Sequence, residues 1–522
     1  MRHAVLPAEL LLQAGKIQNL RLAARQLNGL QIQAGQIFSF WKNLGRATRH
    51  RGFVAGRELR EGCVIPNTGG GLCHLSNALY DVALQAGCTI VERHAHSRVV
   101  PGSSAARHRD ATVFWNYVDL RFATPSDIQL QVQLTRTDLV VRLLGANKSS
   151  HNSHAIEAET SAREIAGALP IETCETCGAR KCFRNVSALT FARGTRTAWI
   201  LDKYEPEFDE WVRQNRQKQD TVLIPVEARV ARTSYGWDTS GFPPVGTASA
   251  VALYRSIASR RLAAQGAARQ RMLLNCDRLL ADSFARKIPF TAEHLVISQN
   301  LLPYIWREGW LGGRTFDVLM TRLPLRELEH VLDRAAAEHP ESRTLSDFRA
   351  PADLREAETG ALAAARAWVT PHSRIAALAG NRAVKLEWKM PATKIPWPRG
   401  HTVVFPATTV ARKGCYEMRE MARRLGLRVR LGGHVIEDAG FWQDLEVSTA
   451  EADWMDDAGV VVLPAWVEHW PRRLLRALAA GVPVVASNGC GLAGLPNLRE
   501  FSAGDLPSLV AHVAEILHRI PA

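Results

Sequence analysis

Short apolar runs alternate with long helical patterns from residue 196 to the end of the chain, and this alternation limits the folds available. The first set of runs spans residues 197–202, 221–225, 295–298, 316–320 and 367–370, with helical patterns at 250–264, 326–337 and 354–367. A second set spans 402–406, 427–431, 458–464 and 482–486. Alternation of this kind is typical of parallel sheets covered by helices on both faces. We therefore predict a first Rossmann-like half at 196–395 and a second at 396–522, with one cleft between them.

The first 148 residues follow a different pattern, in which a run of three glycines precedes a helix. Gly69, Gly70 and Gly71 bury no side chain, so they indicate a tight bend or a close backbone approach. Apolar residues then recur at helical spacing, which places Cys73 in the first turn of a buried helix. Short strands are predicted within 33–41 and at 89–92, 111–115, 120–122 and 128–134. Residues 1–148 are thus predicted to form an α+β domain.

Four segments of this domain carry a family resemblance: residues 37–40, 69–73, 91–97 and 109–112. In this order they resemble the VanW family, which is named for an accessory protein of vancomycin-resistance clusters. The resemblance covers roughly residues 10–140. His74 departs from the glutamine that commonly follows the family's cysteine.

A cysteine at a helix start, followed by histidines and an acidic residue, is a pattern similar to that of transglutaminase-like and papain-like enzymes. A helix dipole and a nearby imidazolium both favour a thiolate, so Cys73 is the candidate nucleophile. His96 is the candidate base, with His94 as substitute, and Asp110 or Asp119 would orient the imidazole. The alternative is that Cys73 is a small buried hydrophobic residue in a ligand-binding loop without chemistry.

Residues 149–195 are predicted to form a connector that contains a cysteine cluster. Cys174, Cys177 and Cys182 could present three thiolates to a zinc ion or an iron–sulfur cluster. A fourth ligand could come from Cys276, His151 or His154. A redox thiol pair and inert thiols are the alternatives.

The last 127 residues carry a second resemblance, to the C-terminal domain of GT-B glycosyltransferases. It is carried by residues 411–414, 463–468 and 474–486. The resemblance implies that Arg412, Lys413, Gly414 and Glu468 bind the phosphates and nucleotide of a sugar donor. The family's second glutamate, which commonly holds the ribose, is replaced by Arg476. A different phosphorylated ligand or a degenerate scaffold therefore stays open.

Three residues of the first half are candidates for the cleft: His294, His372 and Glu358. A histidine at a strand end is more often structural than catalytic. The acceptor side of the cleft cannot be deduced from these residues alone.

The formal net charge of +14 favours anionic partners such as nucleotides, glycans or a phospholipid surface. Basic residues are dispersed along helices without interleaved aromatics, which argues against nucleic acid. No apolar run is long enough to span a bilayer, and no signal peptide is recognisable, so we expect a cytoplasmic protein. Nine cysteines, an odd count, argue against a disulfide framework.

The predicted function is glycosyl transfer from a nucleotide-activated sugar to a cell-envelope or other glycoconjugate acceptor, which the VanW-like domain binds or modifies. One alternative is a thiol-dependent acyl-transfer or amide-cleaving enzyme with a degenerate GT-B scaffold. The other is a non-enzymatic accessory factor of the cell envelope or of antibiotic resistance.

Overall fold

The computed structural model describes most of the chain as two compact units. The described residues are 7–60, 63–96, 105–145, 196–227, 235–242, 245–262, 266–347, 349–392, 400–438, 440–449, 454–455 and 457–518. The N-terminal unit comprises residues up to 196 with the short segments 289–293 and 308–314, and the paired-sheet unit comprises the remainder. Among the described helices, none combines the length and the apolar character needed to cross a bilayer.

The described part of the N-terminal unit contains three α-helices and eight strands. The helices are α1 (Pro7–Leu27), α2 (Phe40–Leu44) and α3 (Leu72–Gln85). The strands are β1 (Leu30–Ile32), β2 (Ile37–Ser39), β3 (Ala55–Arg60), β4 (Cys63–Thr68), β5 (Thr89–Glu92), β6 (Arg121–Ala123), β7 (Ile128–Leu134) and β8 (Leu139–Gly145). They pair antiparallel as β1-β7-β8, β2-β6-β5 and the hairpin β3-β4. The predicted α+β class is confirmed.

Two local predictions differ from the structure. Residues 111–115 form no strand; Phe114 only bridges Val118 across a tight turn in which Asn116 has a φ of +68°. The hairpin β3-β4 was not predicted, because charged residues such as Arg57 and Glu58 interrupt any apolar alternation there.

The glycine run allows the hairpin β3-β4 to lie against the start of α3. A β-carbon on Gly70 would lie 2.4 Å from the carbonyl oxygen of Gly56 in β3. Gly71, the residue before α3, has a φ of +101°, a conformation that L-residues rarely adopt. The fully buried Asn19 of α1 donates hydrogen bonds of 3.0 Å to the carbonyls of Val54 and Gly70. Both the predicted close approach and the helix beginning before Cys73 are confirmed.

The paired-sheet unit contains thirteen described strands and ten described helices. The strands are β9 (Thr197–Ile200), β10 (Thr221–Ile224), β11 (Val245–Thr247), β12 (His294–Ser298), β13 (Thr315–Leu319), β14 (Ala367–Thr370), β15 (Ala383–Lys385), β16 (Thr402–Phe405), β17 (Val429–Leu431), β18 (Val447–Thr449), β19 (Ala458–Leu463), β20 (Val484–Ser487) and β21 (Leu498–Phe501). The helices are α4 (Pro206–Asn215), α5 (Ser249–Arg260), α6 (Ala267–Ala285), α7 (Leu302–Arg307), α8 (Leu325–Glu338), α9 (Ala352–Ala364), α10 (Ser373–Ala379), α11 (Cys415–Leu425), α12 (Arg472–Ala479) and α13 (Leu506–His518).

These strands form two parallel sheets with the same strand order. The first is β11-β10-β9-β12-β13-β14-β15 and the second is β18-β17-β16-β19-β20-β21. Counted within each half, both follow the Rossmann order 3-2-1-4-5-6, with one further edge strand in the first. The predicted pair of Rossmann-like halves is confirmed. The strand order reverses between β9 and β12 and between β16 and β19, and ligands of such folds bind at the carboxyl ends of the strands there.

Ion pairs and hydrogen bonds connect the two halves within this unit. Arg472 of the second half donates to the buried carboxylate of Glu207 at 2.7 Å. Glu437 accepts hydrogen bonds from the backbone N–H of Arg343 at 2.9 Å and from the hydroxyl of Thr344 at 2.5 Å. The halves thus meet through charged residues with specific partners.

The close approach at Gly70 predicts a marked loss of stability on replacement by alanine. We expect Gly70→Ala to destabilise the N-terminal unit by about 1–3 kcal/mol, because the methyl group overlaps the Gly56 carbonyl. Hydrogen exchange measured by mass spectrometry on peptides from α3 checks this. The matched control is Gly145→Ala, whose β-carbon would meet its nearest neighbour at an ordinary 3.5 Å. Equal protection of α3 in both variants would contradict the prediction.

Candidate functional sites

A cavity of about 770 Å³ opens in the N-terminal unit around the glycine run. It is lined by backbone and small groups at its base, by polar side chains and by a group of aromatic rings. The lining residues are Trp41, Arg46, Ala47, Arg57, Glu58, Asn67, Thr68, Gly69, Gly70, Gly71, Leu72, Cys73, Asn77, His96, Thr112, Val113, Phe114, Trp115, Asn116 and Tyr117.

Cys73 lies in the first turn of α3 and faces this cavity. Its Sγ lies 3.8 Å from the carbonyl oxygen of Val113, the hydrogen-bond acceptor of the thiol. Burial raises the pKa of Cys73, and the negative charge of Glu58 raises it further. These effects outweigh the hydrogen bonds that lower it. The thiol is therefore neutral at physiological pH in this arrangement.

His96 lines the same cavity and is held by Asp110. Its Nδ1 lies 2.7 Å from Asp110 Oδ2, and its backbone N–H donates to the same oxygen at 2.7 Å. Arg93 donates to Asp110 Oδ1 at 2.6 Å. Burial would raise the pKa of Asp110, but the hydrogen bonds from His96 and the charge of Arg93 lower it overall. Since Asp110 fixes Nδ1, Nε2 is the ring nitrogen of His96 that can act on a ligand.

Two other predicted candidates lie elsewhere. His94 is not among the residues that line the cavity; it is half-exposed and pairs with Glu92 at 3.4 Å. Asp119 accepts hydrogen bonds from the hydroxyl of Ser39 at 2.5 Å and from the backbone of Trp41 at 3.1 Å, and so positions the start of α2. Of the two predicted carboxylates, Asp110 is the one that contacts His96.

Thr112 contributes a polar group to the cavity that the sequence had not singled out. Its hydroxyl oxygen is buried and has no hydrogen-bond partner among the described residues. Nearby, the side-chain oxygen of Asn77 accepts from the backbone of Ala111 at 2.8 Å. Since a buried hydroxyl without a partner is costly, Thr112 marks a position where a ligand could supply the missing hydrogen bond. The only signal in the sequence was its place in the run 109–112.

Aromatic side chains form one wall of the cavity. The tight turn at Asn116 presents Phe114, Trp115 and Tyr117, which are 44%, 37% and 79% exposed. Trp41 packs edge-on against Trp115 with ring centres 5.5 Å apart. Exposed aromatic rings beside a polar cavity are typical of a ligand-binding surface.

A second cluster lies in the paired-sheet unit, between the carboxyl ends of β16 and β19. Gly414 precedes α11 with a φ of +77°, and a β-carbon there would lie 2.1 Å from the carbonyl oxygen of Pro464. Lys413 donates to Glu468 at 2.6 Å, and Glu468 also accepts from the backbone of Trp470 at 2.9 Å. The backbone N–H of Val467 donates to the carbonyl of Arg412 at 3.2 Å. All four residues predicted for the donor phosphates therefore lie in one partly buried cluster.

Burial and charge act in opposite directions on this ion pair. Burial lowers the pKa of Lys413, and the nearby Glu468 only partly compensates. For Glu468, burial would raise the pKa, but the charge and hydrogen bond of Lys413 lower it overall. Burial also lowers the pKa of Arg412. Arg476, which replaces the family's second glutamate, lies on α12 with its guanidinium 5.8 Å from the ring centre of Trp454.

Two histidines adjoin the cluster, one from each half; His372 is buried and His469 is partly buried. His372 follows β14. Burial lowers its pKa to about 4, although hydrogen bonds with the backbone of Glu468 and Gly489 act in the opposite direction. His469 follows Glu468, and its Nε2 accepts from the backbone of Leu323 at 3.2 Å. The two rings are 6.1 Å apart. Gly491 lies so close to His372 that a β-carbon would be 2.1 Å from Nδ1.

The other two candidates of the first half take different positions. His294 is the first residue of β12 and bonds Thr315 at 2.8 Å and Asp317 at 3.2 Å. It is at the amino end of its strand, so its prediction as a cleft residue is wrong. Glu358 is buried; it accepts from Gln299 at 3.2 Å and pairs with Arg322 at 2.8 Å, and so supports loops at the carboxyl ends of β12 and β13.

The predicted metal ligands Cys174, Cys177 and Cys182, with His151 and His154, lie outside the described residues. Cys276 is buried in α6, with its sulfur 3.5 Å from that of Met272. The zinc or iron–sulfur site stays a prediction.

The raised pKa of Cys73 predicts slow alkylation at neutral pH. We expect iodoacetamide to modify the exposed Cys63 of β4 much faster than Cys73 at pH 7.5, because the thiolate is the reacting species. The rate at Cys73 should keep rising above pH 9, because its pKa is raised. Mass spectrometry of tryptic peptides gives both rates from one sample. A fast reaction at Cys73 that levels off near neutral pH would instead indicate an activated nucleophile.

Solved glycosyltransferase structures resemble much of the chain weakly. The apo lipopolysaccharide outer core galactosyltransferase WaaB covers 62% of this chain and 91% of its own length, at 12% identity and a TM-score of 0.36. Anabaena Alr3699/HepE in complex with UDP and glucose covers 62% and 90%, at 11% identity and a TM-score of 0.36. Structural similarity this weak does not indicate a function. The two parallel sheets are established by the strand orders of this chain.

The N-terminal region has a closer relationship. Vancomycin B-type resistance protein VanW of Enterococcus faecalis is 34% identical over 135 residues, which are 25% of this chain and 48% of that protein. The chain thus spans less than half the length of this relative. Residues 15–144 match the family model described as VanW like protein. The N-terminal region of the chain is a VanW-like domain.

Proposed function

We propose that the paired-sheet unit transfers a glycosyl group from a nucleotide-activated sugar to a cell-envelope or other glycoconjugate acceptor, and that the VanW-like domain binds this acceptor. The observation that carries the proposal is the partly buried cluster of Arg412, Lys413 and Glu468. It lies where β16 and β19 diverge in a sheet of Rossmann order. This is the position at which such sheets bind nucleotides.

The cluster has the chemistry to bind a diphosphate. Lys413 and Arg412 are cationic donors directly before α11, whose helix dipole adds to the attraction for an anion. In the present arrangement Glu468 neutralises Lys413. Binding of a diphosphate would redirect Lys413 to the phosphates and leave Glu468 to accept a hydrogen bond from a sugar hydroxyl. The developing charge of the departing nucleotide would then be stabilised by groups already in place.

His372 suits a binding role rather than that of a general base. Because burial holds its pKa near 4, it is neutral at pH 7 and binds protons too weakly to take one from an acceptor hydroxyl efficiently. Its buried ring, which lies beside the backbone of Glu468 and Gly489, can instead pack against the bound donor.

The cavity of the VanW-like domain suits a saccharide. Exposed Trp115 and Tyr117 offer apolar faces to sugar rings, while Thr112 and His96 offer hydrogen bonds to hydroxyl groups. Cavities of this volume commonly bind small ligands through a few polar groups on an apolar lining. The Enterococcus faecalis relative is named for vancomycin resistance, and this supports an envelope acceptor. A cytoplasmic location and contact with an anionic membrane surface remain predictions.

One observation favours the thiol-dependent alternative: Asp110 holds His96 in the cavity that Cys73 lines. In that reaction His96 would remove the thiol proton and the sulfur would attack the acyl carbon of an amide or ester. The bond to the amine or alcohol would then break, and the leaving group would take the proton from His96. The raised pKa of Cys73 opposes it, since little thiolate is present at rest. Cys73→Ser separates the two proposals, because it should leave glycosyl transfer intact and abolish acyl chemistry.

Donor binding is expected to depend on the charges of Lys413 and Glu468. A panel of nucleoside-diphosphate sugars should include one that raises the melting temperature of the full chain, equivalent to about 2.7 kcal/mol at a hundredfold excess over Kd. The double variant Lys413→Gln/Glu468→Gln should abolish this shift while retaining a neutral hydrogen-bonded pair. The control Arg428→Gln/Glu446→Gln removes an exposed ion pair of the same half and should keep the shift. Absence of any shift in the wild-type chain would contradict the proposal.

Acceptor binding is expected to depend on the aromatic wall. We expect Trp115→Ala and Tyr117→Ala to weaken binding to an array of bacterial envelope saccharides by about tenfold, because each removes an exposed ring from the cavity. Tyr254→Ala, which removes an exposed tyrosine of α5, is the control. Both aromatic variants should keep the donor-induced thermal shift. Unchanged saccharide binding in both would remove the cavity as the acceptor site.

A further inference from the structure

One imidazole in the paired-sheet unit is surrounded by three carboxylates. His339, at the end of α8, lies 2.9 Å from Glu417 and 3.9 Å from Glu341, and the negative charge of Glu338 also acts on it. Even with His339 protonated, these four side chains carry a net charge of −2. The guanidinium of Arg334 lies over the ring of Trp466 at 5.6 Å, and Trp466 in turn donates to Glu417. Such an excess of negative charge favours a bound cation.

Glu417 supplies the independent sign of a ligand. It is 5% exposed, and its Oε1 accepts hydrogen bonds from His339 Nε2 at 2.9 Å and from Trp466 Nε1 at 2.7 Å. Its Oε2 is buried and has no hydrogen-bond partner among the described residues. A buried carboxylate oxygen without a partner is energetically costly, so an ion bound to it would be stabilising.

The ligand atoms are close enough to share one ion. One ligand atom each from Glu338, His339 and Glu417 lies within 4.8 Å of the others. A zinc ion bonds such atoms at about 2.0–2.2 Å, so its ligands lie at most about 4 Å apart. Glu338 is exposed and can rotate to close the difference, whereas His339 is fixed by stacking on Tyr416 at 4.5 Å.

We propose that Glu338, His339 and Glu417 form a binding site for a divalent transition-metal ion that links the two halves of the paired-sheet unit. The donor set of one imidazole and two carboxylates suits Zn²⁺ and is less suited to Mg²⁺, which prefers oxygen ligands. Glu338 and His339 belong to the first half and Glu417 to α11 of the second, so the ion holds α8 and α11 together. The site is independent of the proposed glycosyl transfer.

A bound ion would replace one contact of the free site. An imidazole binds a metal through an unprotonated ring nitrogen, so the ion would take the place of the hydrogen bond between His339 Nε2 and Glu417 Oε1.

Equilibrium dialysis with Zn²⁺ tests the site in the full chain. Cys174, Cys177 and Cys182 are first replaced by Ser, so that zinc bound by the cysteine cluster does not contribute. In this background we expect His339→Gln and Glu338→Gln each to weaken binding of one Zn²⁺ per chain by about tenfold or more. The matched control is His330→Gln, which removes an exposed histidine of the same helix. Excess Mg²⁺ should not displace the zinc.

Two outcomes would overturn the proposal. One is that no Zn²⁺ binds to the background chain at a molar excess of the ion. The other is that His339→Gln and Glu338→Gln bind zinc as tightly as His330→Gln. Because Glu338 is exposed, its variant is expected to fold normally and keeps the test decisive if His339→Gln is unstable.

Discussion

Parallel strands can be stable only when helices cover both faces of the sheet, and this requirement determines where the paired-sheet unit can hold polar chemistry. The strand interiors are almost entirely apolar, as in β19, where all six residues are buried. Polar side chains are therefore confined to the loops at the strand ends. Lys413, Glu468 and His372 all follow the carboxyl ends of strands, and each would be costly at the centre of one. Sheet packing therefore explains why the candidate donor site lies at the strand ends, independently of any sequence motif.

Both candidate sites hold their reactive groups in an inactive state. Cys73 is kept neutral by burial, and Lys413 is neutralised by Glu468. In each case the energetic cost of an unpaired buried charge is avoided in the free protein. Under the proposed functions a ligand would supply the interaction that releases the group; a bound phosphate, for example, would compete with Glu468 for Lys413. This arrangement favours charged ligands.

The sequence predicted the central strands of both sheets because buried parallel strands are uninterrupted apolar runs. It missed β11, β15, β18 and β21, which are all short strands at sheet edges. An edge strand is held by pairing with one neighbour, so its sequence need not be an uninterrupted apolar run. The order of Cys73, His96 and Asp110 could be recognised because α3 and the loop after β5 both lead to one cavity. The pairing of Lys413 with Glu468 could not, because 55 residues separate them and only the fold brings them together.

The wrong placement of His294 has a simple cause. A histidine next to an apolar run marks a strand end, but the run does not tell which end faces the ligand unless its direction in the sheet is considered. Thr112 was overlooked for another reason, since a hydroxyl is notable only when its hydrogen bond is missing. Whether that hydrogen bond is made depends on the surrounding atoms, so the residues of the segment alone do not reveal that it is missing.

Gly491 has a consequence for the relation between the two halves. It adjoins the ring of His372 so closely that no β-carbon would fit. Because residue 491 has no side chain, the loop after β20 can approach the loop after β14 to the short distance seen here. Any larger residue would act as a spacer, and the two halves would close on a wider gap. Gly491 therefore limits how closely these two loops can approach each other.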